Sequence, residues 1–250
     1  IATAQKRIEG RNSTIRKHTL EYDDVMNKQR QEIYAFRNDL LHNEDSSRLA
    51  VEVLERVCQR AAENYFSSRS TEGGWDPEGY RQWLMLHFPI SFPEGYFDRD
   101  LMEIEELEQL AIDKVVAEFT KRMEEEDAKA LPLMQSGFRL PEHPTWEALR
   151  QLMIRKLDKF WQEHLLAMDH LRVDVNLRSV GNRDPLMEFK HEAFALFDRM
   201  GDALRQDIAQ NLFKFQIALP TPHELQKIFS QMQMERNRSF AEEIEGNKNS

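Results

Sequence analysis

The first 42 residues carry one apolar stripe whose spacing predicts a single long helix. The stripe consists of positions seven residues apart, namely Ile8, Ile15, Tyr22, Gln29 and Phe36. Such a period is typical of an amphipathic helix, and the stretch contains one glycine and no proline. At 1.5 Å per residue the helix would be roughly 60 Å long, so it must lie across several neighbouring elements. Polar residues between the stripe positions argue against a long coiled coil.

Two later stripes predict an antiparallel helical hairpin. Thr145 is expected to cap the first helix, whose apolar residues follow in steps of three and four from Trp146 to Val175. Asp184-Pro185 supplies an N-cap and a proline at the first position of the second helix, whose stripe runs from Phe189 to Phe215. Because only Ser179–Arg183 separate them, the two helices must run antiparallel. The hairpin is expected to be stiff through burial of five large apolar side chains, namely Phe160, Leu171, Phe189, Phe194 and Phe197.

The remaining pattern predicts an all-α fold: an elongated helical scaffold that carries a small inserted helical module. Within the module we expect helices at about 47–66, from Asp76-Pro77 to about 88, and from about 100 to 130, followed by an irregular return. One more helix is predicted at 223–236. The polar end of the chain, 242–250, is expected to be disordered.

Charge divides the chain in the same places. Of the 250 residues, 34 are Lys or Arg and 44 are Asp or Glu, which gives a net charge of −10. The net charge is +2 over 1–42, −11 over 43–142, zero over 143–219 and −1 over 220–250. We therefore predict a scaffold helix, an acidic inserted module, a continued scaffold with a two-helix finger whose tip lies at about 179–184, and a tail.

Composition excludes several classes of protein. No apolar run approaches the length that spans a bilayer. The single cysteine excludes a disulfide framework, and the acidity argues against a nucleic-acid binder. No phosphate-binding loop and no serine-nucleophile motif occurs, so we expect no catalytic residue and no cofactor in this chain. The chain opens at Ile1 inside the first stripe, and we expect it to be part of a longer protein.

Metal chemistry is the one catalytic alternative to weigh. Glu188 and His191 form a single E-x-x-H, whereas a di-metal bundle needs two such motifs and two further glutamates. Position 195 is alanine, so an H-E-x-x-H zinc motif is not completed at His191. Two pairs on the first hairpin helix, Glu163-His164 and Asp169-His170, are interpreted as polar anchors between packed helices. Cys58 is interpreted as a buried structural thiol.

Two groups of residues resemble the SecA family, the ATP-driven motors of bacterial preprotein translocation. The first group resembles the long scaffold helix of that family: Arg11-Asn12, Ile15-Arg16-Lys17, Leu20–Val25, Gln29-Arg30 and Ile33-Tyr34. The second resembles its two-helix finger: Trp161–Leu165, Met168-Asp169, Leu171-Arg172, Leu177-Arg178, Arg183–Leu186, Glu188–Lys190 and Glu192–Phe194. The resemblance covers residues 1 to about 218, and 43–142 stand where the family inserts its helical wing domain.

The resemblance implies partners and a location. It implies contacts with the N-terminal motor and preprotein-crosslinking domains, the SecYEG channel and an unfolded preprotein. It also implies peripheral association with the inner face of the bacterial plasma membrane, and it leaves a homodimer open. ATP and Mg²⁺ would bind in the motor domains of the full-length protein. The Cys-rich zinc-binding tail of many members is absent, because no cysteine follows Cys58.

The resemblance also assigns candidate site residues. The finger tip that would contact preprotein and channel comprises Ser179, Val180, Gly181, Asn182 and Arg183. Many members carry a bulky aromatic residue where this chain has Val180, which puts a strict aromatic grip in doubt. Candidate contacts with the motor domains are Arg16, Glu21 and Arg30; the alternative is that they are solvated helix charges. A stand-alone helical adaptor without motor function is the alternative for the whole chain.

Overall fold

The computed structural model describes residues 2–42, 46–66, 75–97, 102–135, 143–178, 184–216, 227 and 230. In 6–19 and 176–178, and at a few other helical positions, it describes the backbone alone. The described residues form helices and connecting turns without a strand, so the predicted all-α class is confirmed. The helices are α1 (Ala2–His42), α2 (Ser46–Phe66), α3 (Pro77–His87), α4 (Ile104–Gln135), α5 (Pro144–Arg178) and α6 (Pro185–Leu212).

Two of the predicted helix starts are confirmed in atomic detail. Asp76 precedes α3, and its Oδ1 accepts a hydrogen bond from the backbone N–H of Gly79 at 2.8 Å. Asp184 precedes α6, and its Oδ1 accepts from the N–H of Leu186 at 3.0 Å. Each carboxylate therefore satisfies an amide that the first helical turn leaves without a partner.

The predicted end of α4 and the predicted cap of α5 are wrong. Helix α4 continues to Gln135 with Pro132 inside it, because Ala128, Lys129 and Ala130 are good helix formers and Ala130 is buried. Thr145 lies inside α5, and its buried hydroxyl makes no hydrogen bond to any described residue. The cap comes from α4 instead, where Asp127 Oδ1 accepts from the Thr145 N–H at 2.9 Å.

The hairpin of α5 and α6 is antiparallel, as predicted. Lys156, near the start of α5, forms an ion pair of 2.7 Å with Asp207, near the end of α6. At the other end Val175 shares an apolar cluster with Leu186. The connecting turn, 179–183, lies outside the described residues.

Helices α2 to α4 pack on the base of the hairpin. The larger apolar core is continuous through α2, α3, α4, the first half of α5 and the second half of α6. At its edge Arg60 of α2 bonds Asp202 Oδ2 of α6 through Nε at 2.9 Å and approaches Asp198 Oδ2 at 3.4 Å. The acidic module is thus joined to the hairpin by apolar packing and by this exposed ion-pair group.

Candidate functional site

Helix α1 lies along the hairpin and contacts it at three levels. Tyr22 and Gln29 are stripe positions seven residues apart, and Arg37 directly follows the stripe position Phe36, so the stripe seen in the sequence marks a seam of interhelical contacts. The three levels consist of Tyr22 with Phe189 and Arg172, Gln29 with His164 and Ala193, and Arg37 with Asp158.

The first level lies nearest the hairpin turn. Tyr22 packs edge to face on Phe189 of α6, and the guanidinium of Arg172 on α5 lies 5.4 Å from the Tyr22 ring centroid. Arg172 also approaches Asp23 at 3.7 Å. Burial raises the pKa of Tyr22, with a smaller raising contribution from Asp184, while Arg172 lowers it. The phenol therefore stays neutral and acts as a packing group.

The second level is polar and buried. Nε2 of His164 and Oε1 of Gln29 are 2.9 Å apart, and the Gln29 side-chain nitrogen donates to the Ala193 carbonyl at 3.1 Å. The exposed fractions of Gln29 and His164 are 6% and 3%. Burial lowers the pKa of His164, so its imidazole is neutral near pH 7. The predicted anchor role is confirmed for His164.

Among the described residues, the other three predicted anchors form no hydrogen bond or ion pair with another helix. Asp169, His170 and Glu163 are all exposed. Glu163 lies 3.9 Å from Lys159 on the same helix. Adjacent residues on a helix point about 100° apart, which explains why Glu163 is exposed beside the buried His164; Asp169 and His170 both follow the buried Met168 and point away from α1.

The third level lies near the base of the hairpin. The Arg37 Nε bonds Asp158 Oδ1 at 2.9 Å, and Nη2 bonds Oδ2 at 3.3 Å. This two-pronged geometry raises the pKa of Arg37 and fixes the direction of both side chains. Both are more than a third exposed, so the pair contributes more to orientation than to stability.

The predicted finger tip, Ser179 to Arg183, lies outside the described residues. The structure describes its stem, where one apolar cluster joins α5, α6 and α1. Its members are Tyr22, Met168, Leu171, Val175, Leu186, Phe189 and Ala193. The stem is therefore closed by side chains from three helices rather than two, and α1 is part of it.

One residue predicted to stiffen the finger is exposed. Phe194 of α6 is 72% exposed, because it follows the buried Ala193 and so points away from α5. Its ring stands at the edge of a groove of about 690 Å³ between α1, α2 and α6. Phe160 and Phe197 are half-buried, and Leu171 and Phe189 are buried as predicted.

The candidate contacts with motor domains have different surroundings. The Arg16 side chain lies outside the described residues. Glu21 is half-buried and Arg30 is exposed. Arg30 Nη1 lies 3.5 Å from Asn27 Oδ1 on the same helix, and within the described part of the chain no hydrogen bond or ion pair joins it to another helix. The contacts of these three residues with the motor domains therefore stay a prediction.

The described residues show neither a reactive thiol nor a metal-ligand group. Cys58 is fully buried, and burial raises the pKa of its thiol to about 12. The thiol is therefore protonated and unreactive near pH 7, which agrees with its interpretation as a buried structural thiol. Glu188 is half-buried and His191 is exposed. Over the described ranges no three His, Cys, Asp or Glu side chains come together in an arrangement that could hold a metal ion, and no helix there is long and apolar enough to cross a membrane.

Sequence reasoning found His164 but did not assign Gln29 a role. The signal was present, because Gln29 is the one amide in a stripe otherwise made of apolar and aromatic residues. A polar residue at a buried stripe position requires a partner on a neighbouring helix.

Comparison with known proteins gives a consistent result. Residues 1–216 match a family model described as the SecA wing and scaffold domain. The chain is 41% identical over 231 residues to a protein translocase subunit SecA of Chlamydia pneumoniae, covering 89% of this chain and 23% of the relative. It is 40% identical over 219 residues to that of Chlamydia trachomatis serovar L2, covering 88% and 22%. The chain thus spans less than a quarter of these relatives' length.

Proposed function

The chain belongs to the SecA family, whose wing and scaffold region it matches, and we propose that it is the C-terminal helical part of a SecA motor. In this proposal, ATP hydrolysis in domains outside this chain is coupled to movement of a preprotein through the SecYEG channel. The observation that carries the proposal is the seam along α1. A displacement of α1 would be transmitted to the hairpin stem through Phe189, His164 and Asp158.

The hairpin tip would be the element that touches the moving polypeptide. A motor that handles many sequences needs a small and sequence-tolerant contact rather than a deep pocket. Val180, Gly181 and Arg183 offer a short apolar side chain, bare backbone and one cation. Ser179 and Asn182 complete the tip. Because Val180 is smaller than an aromatic residue, contact would depend on backbone and general apolar packing.

Site-specific photocrosslinking in the full-length protein tests this role. A crosslinker at position 180 should form an adduct with a preprotein stalled in SecYEG in the presence of ATP. The matched control is position 86, because Leu86 is 81% exposed on α3 of the acidic module. Absence of an adduct from position 180, or equal adducts from both positions, would contradict the proposal.

Helix α1 would contact the motor domains through Arg16, Glu21 and Arg30. The exposure of Arg30 supports this, since it leaves the guanidinium accessible to a part of the protein outside this chain. Arg30→Ala in the full-length protein should change the stimulation of ATPase activity by the channel and preprotein. Lys28→Ala is the matched control, because Lys28 is an exposed cation on the same helix. Equal stimulation in Arg30→Ala and wild type would count against the contact.

Cofactors and location follow from the same proposal. ATP and Mg²⁺ would bind in the part of the protein outside this chain. A Cys-based zinc site is not expected from this chain, whose one cysteine is enclosed in the core. The protein would act at the cytoplasmic face of the plasma membrane through the channel. A stand-alone adaptor is not favoured, because the family match extends over 1–216 and the relatives are named as translocase subunits.

A further inference from the structure

The buried hydrogen bonds of Gln29 have only one satisfactory arrangement. The Ala193 carbonyl can only accept, so the amide nitrogen of Gln29 must face it. The amide oxygen then faces His164 Nε2, and that nitrogen must carry the proton. Reversing the amide would bring two oxygens together at Ala193. The chain of donors therefore runs in one direction, from His164 through Gln29 to Ala193.

This polar chain lies between two apolar clusters. On one side the His164 ring stacks on Trp161, with ring centroids 5.5 Å apart, and approaches Phe197 at 5.6 Å. On the other side is the stem cluster, to which Tyr22 and Phe189 belong. Met26, one turn before Gln29, packs against both clusters. The hydrogen bonds are therefore shielded from water on the sides facing the stem and the base.

Apolar side chains alone leave the register of packed helices weakly defined. Similar apolar surfaces can slide by a residue or a turn at small cost, whereas a buried amide must keep its partners. A single buried polar residue fixes register in coiled coils by this means. Here one glutamine is bonded to both helices of the hairpin, at residues 135 and 164 positions away in sequence. A slip of α1 by one residue would leave the Gln29 amide and the His164 Nε2–H without partners, whereas the Ala193 carbonyl would keep its hydrogen bond within α6.

We propose that Gln29 is a positioning residue that locks the register of α1 on the hairpin stem, so that α1 and the stem move as one unit. This inference deepens the proposed function and rests on it, since a register lock matters for transmission only if the hairpin is driven. It assigns to Gln29 a task that apolar packing does not perform, namely preventing slip under load.

The test uses the full-length protein with spin labels at positions 28 and 190, both of which are exposed. Electron–electron distance measurements are compared for wild type, Gln29→Leu and Ile33→Ala. Gln29→Leu removes both hydrogen bonds and keeps the volume, and it should broaden or shift the distance distribution. Ile33→Ala removes buried apolar area one turn after Gln29 on the same face of α1 and retains both hydrogen bonds, so it should lower stability without changing the distribution.

A functional measurement separates positioning from stability. Gln29→Leu should raise the ATP consumed per translocated preprotein several-fold, because part of each displacement of α1 would be lost as slip, whereas Ile33→Ala should leave this ratio unchanged. His164→Gln, whose amide nitrogen can replace Nε2 as donor, should behave as wild type.

The outcomes are distinguishable. An unchanged distance distribution in Gln29→Leu overturns the register lock, and so does a Gln29→Leu-like distribution in His164→Gln. An altered distance distribution in Gln29→Leu with an unchanged amount of ATP per translocated preprotein overturns the role of Gln29 in coupling. If the wild-type protein does not translocate, the proposed function fails, while the distance measurements still decide whether Gln29 fixes the register.

Discussion

Tyr22 of α1 and Phe189 of α6 meet edge to face, with ring centroids 4.6 Å apart and ring planes at 78°. The contact belongs to the apolar cluster that also holds Val175 and Leu186, the described apolar residues nearest the hairpin turn. The relationship makes the hairpin stem a three-helix unit. The contribution of α1 to the stability of this unit can therefore be measured by single substitutions on α1.

Tyr22→Ala should lower the free energy of unfolding of the chain by about 3–5 kcal/mol, because a buried aromatic side chain is lost and a cavity remains beside Phe189. Urea denaturation followed by circular dichroism measures the change. Tyr34→Ala is the matched control on the same helix, where the ring is 55% exposed. It should change the free energy by less than about 0.5 kcal/mol. Equal effects of the two substitutions would show that Tyr22 is not packed as described.

Charge reversal at Arg60 should weaken the attachment of α2 to α6. The Arg60 guanidinium lies within 3.4 Å of Glu63, Asp198 and Asp202. Because its side chain is 51% exposed, Arg60→Ala should cost no more than about 1 kcal/mol. Arg60→Glu should cost more, since it places a fourth carboxylate in the group.

The salt dependence of the stability lost in Arg60→Glu identifies its cause. The difference between Arg60→Glu and Arg60→Ala should shrink between low salt and 1 M salt, where the screening length is only about 3 Å. Arg56→Glu serves as control, because Arg56 is exposed on the same helix and makes no ion pair within the described ranges. A difference that is independent of salt would indicate disrupted packing rather than charge repulsion.

The sequence predicted the helices well because their signals are local. The seven-residue spacing on α1 and the two Asp-Pro starts need only neighbouring residues to be interpreted. Phe194 shows the limit of this approach. Apolar character alone suggested that it faces the interior, but the position after Ala193 is rotated by about 100° around the helix and points to the groove.

Long-range partners explain what the sequence did not predict. Gln29 was visible as a polar residue in an apolar stripe, yet its partners lie 135 and 164 residues later. The cap of α5 has the same character. Thr145 was the locally favoured cap, whereas Asp127, 18 residues earlier on another helix, takes the role. No local rule distinguishes a residue that caps its own helix from one that is capped by a neighbour.

The Asp127 cap leads to a prediction on α5. Asp127→Ala should lower the free energy of unfolding by about 0.5–2 kcal/mol, because the Thr145 N–H loses its acceptor at a helix N-terminus. Asp127→Asn retains an oxygen acceptor and should cost less. Thr145→Val should be close to neutral or stabilising, since the Thr145 hydroxyl is buried with no hydrogen bond to a described residue. Chemical denaturation of the three variants checks this order, and a Thr145→Val loss as large as that of Asp127→Ala would restore Thr145 as the cap.

His164 makes the stability of the α1 seam sensitive to mild acid. Burial lowers its pKa below the ordinary value of 6.5, so the unfolded chain binds a proton more readily than the folded chain does. The contribution of neutral His164 to the free energy of unfolding is therefore complete above pH 6.5 and is lost as the pH falls from 6.5 towards the lower pKa of the folded state.

His164→Gln has no such titration. The difference in unfolding free energy between wild type and His164→Gln should be constant above pH 7 and should move against wild type as the pH falls below 6.5. His170→Gln, at an exposed position on the same helix, should follow the wild-type curve. A difference that does not vary with pH, or that favours wild type in acid, would mean that the imidazole is not enclosed between the helices.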